Sequence, residues 1–309
     1  MALSAVVRIL HFSDVHVDVP AARIPLADWF GKRLVGGANH ALRRARHFRS
    51  SREKLAQLAQ FAQAEGADLA VCTGDLTILG TEPELEAAAA AVAPFAERPL
   101  GLVAVPGNHD VYLPDSVREQ RFEKHFGKYL GNDVPALAGP EGWPRVRLFG
   151  PDVAVVTVRS ARPNPAVWRS SGRIEDRELD ALRAAVSDPR LEGRFVMIAT
   201  HYAPRREDGT PDRWTHGLEN ADALLGVLST VRWGCLVHGH IHRRFRLDLP
   251  GLRAPVLGAG SATQEGREGF WWIEVEGGEA YATPGFHDGR GYRLERNARA
   301  LVGRAAGLG

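Results

Sequence analysis

The sequence is poor in the features that would take it outside the soluble α/β proteins. It holds only two cysteines, Cys72 and Cys235. Two thiols make no disulfide framework. Each stands in a strand-like run, "LAVCTGD" and "GCLVHGH", so both read as reduced core thiols of a cytoplasmic protein. There is no run of about 18 uncharged apolar residues, so no membrane-spanning helix is expected. The opening "MALSAVVRILHFSDVH" lacks the basic stretch, apolar core and small-residue cleavage site of a secretory leader. Its apolar residues serve better as a buried strand. Internal repeats and low-complexity linkers are absent. The net charge is only +2, which argues against a protein that binds nucleic acid over its whole surface.

What is present suits one large α/β domain. The chain has 309 residues, 44% apolar and 25% charged, enough for a sizeable core. Strands are expected near 6–13, in "ADLAVCTGD", "LGLVAVPGNHD", "RFVMIATH" and "WGCLVHGHIH", and as two runs across 145–158 broken at Gly150-Pro151. "RRFRLDL", "APVLGAG" and "GFWWIEVEGGEAYAT" add strands joined by turns. Helices are expected over 52–65, over "TEPELEAAAAAV" with Thr81 and Glu84 placed for a capping box, around 117–127, over "IEDRELDALRAAV" and over 218–229. The domain is read as 1–287, with a basic insertion at 29–54. The Gly/Ala/Arg-rich stretch 288–309 reads as a basic tail that frays. Alternating strands and helices point to layered sheets with helices outside. In such folds, functional loops lie beyond the carboxyl ends of strands.

Five strand ends hold residues of metal-ligand type. They are "SDVH" (Asp14, His16), "TGDL" (Asp75), "PGNHD" (Asn108, His109, Asp110), "THY" (His201) and "GHIH" (His240, His242). Each alone is ordinary: Gly-Asp is a common turn, and a lone histidine usually packs. Five at successive strand ends are hard to reach by accident. Gathering that many polar groups costs several kcal/mol unless something pairs with them, and a doubly charged cation is the natural partner. Two carboxylates, one amide oxygen and four imidazoles, with no thiolate, suit Mn²⁺, Fe, Zn²⁺ or Co²⁺.

This order of motifs resembles the calcineurin-like metallophosphoesterase family, whose pattern is D-x-H, G-D, G-N-H-D/E, H and G-H-x-H. The similarity runs from about Ile9 to His242. It implies a four-layer α/β/β/α sandwich with two divalent or trivalent metal ions at one edge. Asp14, His16, Asp75 and His242 would hold the first ion. Asp75, Asn108, His201 and His240 would hold the second, with Asp75 bridging. Hydroxide held between the ions would attack phosphorus in line. His109 would face the substrate, stabilising the transition state or protonating the leaving oxygen. Asp110 would orient the His109 ring; its bland reading is a turn cap, and both stay open.

The remaining histidines have simpler readings. His11 and His238 suit packing or support of ligands. His40 and His47 belong to the basic segment, and His125 to a helix. His216 lies in the loop after His201 with Arg205 and Arg206, either solvated or touching substrate.

Residues 29–54 hold eight Lys or Arg and one Glu, a net +7 that leaves the rest of the chain at −5. Apolar Trp29, Phe30, Leu34, Val35, Leu42 and Phe48 interleave with the cations, among them Arg43 and Arg44. Three readings stay open: a solvated helical face, a cap that attracts an anionic phosphate substrate, or a peripheral patch that engages an anionic membrane. "SDVH", "GDLT" and "GNHD" are similar to the bacterial class III cyclic-nucleotide phosphodiesterase-like branch, so a phosphodiesterase is the working expectation. The long insertion departs from a minimal version of that branch. It keeps a pyrophosphatase of the UDP-2,3-diacylglucosamine type as the alternative, with a phosphomonoesterase beside it. The expected partner is therefore a small phosphate ester or a lipid-linked phosphate, and nucleic acid has little support. A non-catalytic metal-binding scaffold is disfavoured because the ligand pattern is complete.

Overall fold

The computed structural model describes residues 6–305. The opening apolar run is β1 (Val7–Phe12). It is followed by α1 (Lys32–Asn39), a π-helical stretch at His40–Arg44, α2 (Ala45–Phe48) and α3 (Ser51–Ala64). Then come β2 (Leu69–Cys72), α4 (Glu82–Val92) and β3 (Gly101–Ala104). Glu84 reaches back to accept from the amides of Thr81 and Leu79, at 3.1 and 3.0 Å, fixing the start of α4. β1, β2 and β3 pair in parallel, and their carboxyl ends therefore lie at one edge.

The helix expected around 117–127 is two: α5 (Pro114–Arg118) and α6 (Arg121–Phe126). Gln120 adopts φ +50° between them, which ends α5. Arg121 then turns inward to Asp28, 3.1 Å away.

The second sheet begins with β4 (Arg145–Phe149) and β5 (Val153–Thr157), followed by α7 (Asp176–Val186), β6 (Phe195–Ala199), α8 (Ala221–Leu228) and β7 (Gly234–His238). β8 (Arg244–Leu247) and β9 (Val256–Ala259) complete the order β4-β5-β6-β7-β9-β8. β5, β6, β7 and β9 run parallel. The chain then returns to the first sheet. β10 (Phe270–Glu276) pairs antiparallel with β1, and β11 (Glu279–His287) with β10.

The expectation of a frayed tail is corrected over 292–304. β12 (Tyr292–Leu294) and β13 (Ala300–Arg304) both pair with β11. Tyr292 packs against Phe270, and Val302 enters the layer between the sheets. Residues 306–309 lie outside the described residues.

Four layers result, and strand periodicity explains them. Along β2, Leu69 and Val71 point between the sheets while Ala70 and Cys72 face helices. Along β6, Phe195, Met197 and Ala199 point between the sheets while Val196 and Ile198 face helices. Side chains of alternate residues leave opposite faces, so strands covered on both sides read as continuous apolar runs. α3, α4 and α6 cover the first sheet; α7 and α8 cover the second. Cys72 and Cys235 are buried free thiols. No helix among the described residues is long and apolar enough to cross a membrane.

Candidate metal centre

The carboxyl ends of β1, β2, β3, β6 and β7 meet at one edge of the sandwich, and the chain turns sharply at each meeting point. Six described non-glycine residues have positive φ. Five of them are Asp14 (54°), His16 (50°), Asp75 (54°), His240 (69°) and His242 (53°). This left-handed conformation costs a non-glycine residue about 1–3 kcal/mol. It persists here because neighbouring loops over-determine it. Asp14 N donates to Gly74 O at 2.9 Å, His16 N to Asp75 O at 3.0 Å, and Gly239 N to His201 O at 3.1 Å. The Asp14 carboxylate accepts from His240 N at 3.0 Å, tying β1 to β7. Gly239 allows that approach: a Cβ there would stand 1.9 Å from Ser13 Oγ and 2.4 Å from Asp14 Oδ2.

The imidazoles are held in defined tautomers. His16 Nδ1 donates to Thr77 O at 3.0 Å, and His201 Nδ1 to Thr73 O at 2.7 Å. His242 Nδ1 donates to the side-chain oxygen of Gln264. Each of these rings presents its Nε2 lone pair to the interior. His240 is reversed: Nε2 donates to His216 O at 3.0 Å, leaving Nδ1 toward the interior. A second hydrogen bond of this kind is what fixes the orientation of metal-binding histidines. Burial lowers the pKa of His201, and burial together with His216 lowers that of His240 well below the ordinary value, so both stay neutral.

The inward atoms converge in two groups. His16 Nε2 and His242 Nε2 are 3.2 Å apart, and Asp14 Oδ1 is 3.1 Å from His242 Nε2. One ligand atom each from Asp14, His16, Asp75 and His242 lies within 4.8 Å of all the others. In the second group, Asn108 Oδ1 is 3.0 Å from both His201 Nε2 and His240 Nδ1. Asp75 stands between the groups, with Oδ2 3.8 Å from His16 Nε2 and Oδ1 3.4 Å from His201 Nε2. Burial works to raise the pKa of Asp14, yet His242 beside it brings the net value below the ordinary carboxylate range. Lone-pair atoms gathered this closely repel one another unless a cation sits among them.

Of the two open readings of Asp110, its hydrogen bonds are those of a turn cap rather than of a support for His109. The Asp110 carboxylate accepts from Leu76 N (2.9 Å), Thr77 N (3.0 Å), Thr77 Oγ (3.0 Å) and Gly107 N (2.9 Å). It clamps the two loops that bring Asp75 and Asn108 together. Burial, with Asp75 nearby, pushes its pKa up to about 7. His109 is instead oriented by Ile78 O, which accepts from Nδ1 at 2.5 Å. The His109 ring lines a cavity of about 540 Å³ with Asp75, Asn108, His240 and His242.

His216 also lines that cavity. Its ring packs on His240 with centroids 4.1 Å apart, and Asp212 accepts from its Nδ1 at 2.6 Å. Arg205 turns away, pairing with Asp222 on α8, and Arg206 is exposed outside the cavity lining. The side chains of Arg43 and Arg44 lie outside the described residues. His11 and His238 are buried; His11 bonds Thr73 Oγ, and His238 donates to Gly239 O.

The basic insertion is not simply a solvated face. Lys32, Arg33 and Lys54 are buried. Arg33 bonds Asp115, Asp28 and Ser116, Lys54 pairs with Glu268 at 2.5 Å, and Lys32 donates to the carbonyls of Asn164 and Arg169. Lys32 reaches the cavity wall, and burial lowers its pKa to about 8.

Sequence reasoning missed Gln264, Asp212, Trp168 and Arg267, all at or behind the cavity wall. Only one weak signal pointed to Gln264 and Arg267: they follow β9, whose carboxyl end lies at the same edge.

The sequence pattern of calcineurin-like phosphoesterases matches residues 7–244. The chain belongs to the calcineurin-like phosphoesterase family. As a member it is a metal-dependent phosphoester hydrolase of a family that uses two metals, and the structure offers candidate ligand atoms in the group around Asp14 and in the convergence of His201 and His240 on Asn108. Two solved structures share the fold of this phosphoesterase. One is a dimetal phosphatase from Danio rerio, 15% identical, covering 97% of this chain and 99% of that chain, with a TM-score of 0.61. The other is a purple acid phosphatase from yellow lupin (Lupinus luteus), 11% identical, covering 98% of this chain and 55% of that chain, with a TM-score of 0.63. Among curated proteins nothing matches.

Proposed function

We propose that this phosphoesterase cleaves a phosphodiester, with Asp14, His16, Asp75 and His242 holding one metal ion and Asp75, Asn108, His201 and His240 a second. The observation that carries the reading is the tautomer set: every ring in both groups has one nitrogen tied to an oxygen outside the centre and the other aimed inward. Neutral imidazoles, carboxylates and an amide oxygen fit Mn²⁺, Fe, Zn²⁺ or Co²⁺. When bound, such ions neutralise charge on the phosphate and lower the pKa of a water between them.

The chain's own residues do the rest. Asp75 spans both groups and also accepts from His109 N at 2.8 Å, which locks the catalytic loop to the centre. With Nδ1 donating to Ile78 O, carrying a proton toward the departing oxygen falls to His109 Nε2. Trp168 and Lys32 wall the cavity above the metal groups, and its volume of about 540 Å³ leaves room for a substituent on each side of phosphorus. That room favours a diester over a bare monoester. The alternative, a lipid-linked pyrophosphate, is supported by the apolar surface beside the cavity mouth. A cytoplasmic setting fits the two buried free thiols.

The test is metal-stripped protein reloaded with Mn²⁺, Fe²⁺, Zn²⁺ or Co²⁺ and assayed on bis(p-nitrophenyl) phosphate, p-nitrophenyl phosphate and a nucleotide diphosphate-sugar lipid. The reading expects the diester to show the highest kcat/KM. A preference for the monoester, or no metal-dependent turnover of any of the three, would overturn it.

A further inference from the structure

Large apolar side chains exposed to solvent are not scattered over this protein. Of the nine among the described residues, five lie between Leu26 and Leu42, in and just before the basic insertion. Three more, Val167, Trp168 and Trp214, lie in the loops that face it. Leu26 is 86% exposed, Leu42 84% and Phe30 70%. Leu34, Val35 and Leu42 line a groove of about 580 Å³, which shares Lys32, Asn39, Tyr112 and Val167 with the metal cavity. Trp168 continues the surface across the cavity wall and meets Trp214 edge-on, with centroids 5.8 Å apart. Single exposed apolar residues need no explanation, but a contiguous patch marks an interaction surface.

The charge around this patch selects its occupant. Lys32, Arg33 and Lys54 are buried in contacts with their own chain, while Arg46, Arg49 and Arg52 of the same segment are exposed. Arg46 stands about one helical turn beyond Leu42, so exposed apolar side chains and exposed cations share this segment, with indoles beside it, a combination that complements an anionic bilayer surface. A second copy of the chain would bring the same cations against each other.

We propose that this face docks the protein on anionic phospholipid, so that the metal cavity opens at the lipid–water boundary. The docking does not depend on which phosphoester is cleaved.

The full-length protein is to be sedimented at low ionic strength with vesicles of phosphatidylcholine alone and of phosphatidylcholine with phosphatidylglycerol. Binding to the anionic vesicles should be at least about tenfold tighter, with a blue shift of tryptophan emission that Trp168→Phe/Trp214→Phe removes. The variant Leu26→Ser/Phe30→Ser/Leu42→Ser changes only strongly exposed positions outside the metal cavity. It should lose at least about tenfold in vesicle affinity while keeping its circular dichroism and its hydrolysis of a soluble diester. Failure of the wild type to bind anionic vesicles overturns the proposal, as does equal binding by the triple variant. So does a wild-type dimer that the triple variant dissolves, which would assign the face to a second copy. The emission shift of the wild type reads the docking even if the triple variant does not fold.

Discussion

His16 Nε2 and His242 Nε2 stand 3.2 Å apart, although 226 residues separate them in the chain. Thr77 O holds the other nitrogen of His16, and Gln264 the other nitrogen of His242, so two lone pairs face each other. Asp14 Oδ1, 3.1 Å from His242 Nε2, adds a third. Lone pairs this close favour a cation among them. Stability should therefore depend on metal, gaining about 2.7 kcal/mol for each site held at a hundredfold excess over Kd. His242→Ala should lose most of the gain in stability that Mn²⁺ gives the wild type. Thermal unfolding of both proteins with chelator and then with Mn²⁺ reads the difference.

Asp75 and His109 touch the centre in different ways, and two variants should separate them. Asp75 reaches toward both histidine groups, so Asp75→Asn should hold fewer than two metals per chain and lose turnover. His109 supplies its backbone N–H to Asp75 and its ring to the cavity. His109→Ala should keep both metals and lose about 10²–10⁴ in kcat. Plasma mass spectrometry of the purified variants, paired with diester kinetics, distinguishes the roles. Two metals and normal rates in Asp75→Asn would falsify the ligand assignment.

The residues that converge at this edge were legible because their chemistry is poor packing chemistry. Asp14, Asp75 and His242 at the ends of apolar strands have no place in a core, so type and order alone marked them. The strands and the capping box at Thr81 were legible through period and turn residues. Partners supplied by backbone were not. That Ile78 O rather than Asp110 orients His109 depends on how two loops cross, and no residue type announces a carbonyl. β12 and β13 were hidden because each is short and gains its stability only by pairing with β11. The buried cations Lys32, Arg33 and Lys54 looked like a solvated charge run, since their partners Asp115 and Glu268 lie far along the chain.

Glu178 should make the fold pH-sensitive away from the metal centre. It sits in the first turn of α7, buried, and accepts from Arg159 N at 2.7 Å. Burial pushes its pKa from 4.5 up to about 7. The folded state then holds a proton that the unfolded chain releases, so this contribution is present below pH 4.5 and lost as pH rises to about 7. The difference corresponds to about 3 kcal/mol. Glu178→Gln keeps an oxygen for Arg159 N and cannot ionise. Urea unfolding should show it more stable than the wild type at pH 8, by up to that amount, and nearly equal at pH 4.5. Equal stability at both pH values would remove the assignment.

Two glycine-to-alanine changes should act in opposite directions. Gly226 lies within α8, and a Cβ added there meets nothing within 4 Å. Alanine at that position should raise stability by about 0.8–1.0 kcal/mol, because glycine is the costlier residue in a helix. Gly239 lies between β7 and His240, where a Cβ would meet Ser13 Oγ and Asp14 Oδ2 well inside contact distance. Asp14 also accepts from His240 N, so neither loop can retreat without opening the link between the two sheets. Gly239→Ala should cost about 1–3 kcal/mol as an overpacked core does. It should also displace Asp14 from His242, lowering metal content and diester turnover together. Metal analysis and unfolding midpoints of the two variants provide the check; a Gly239→Ala protein with full metal content would show that Asp14 can hold its place without the close approach.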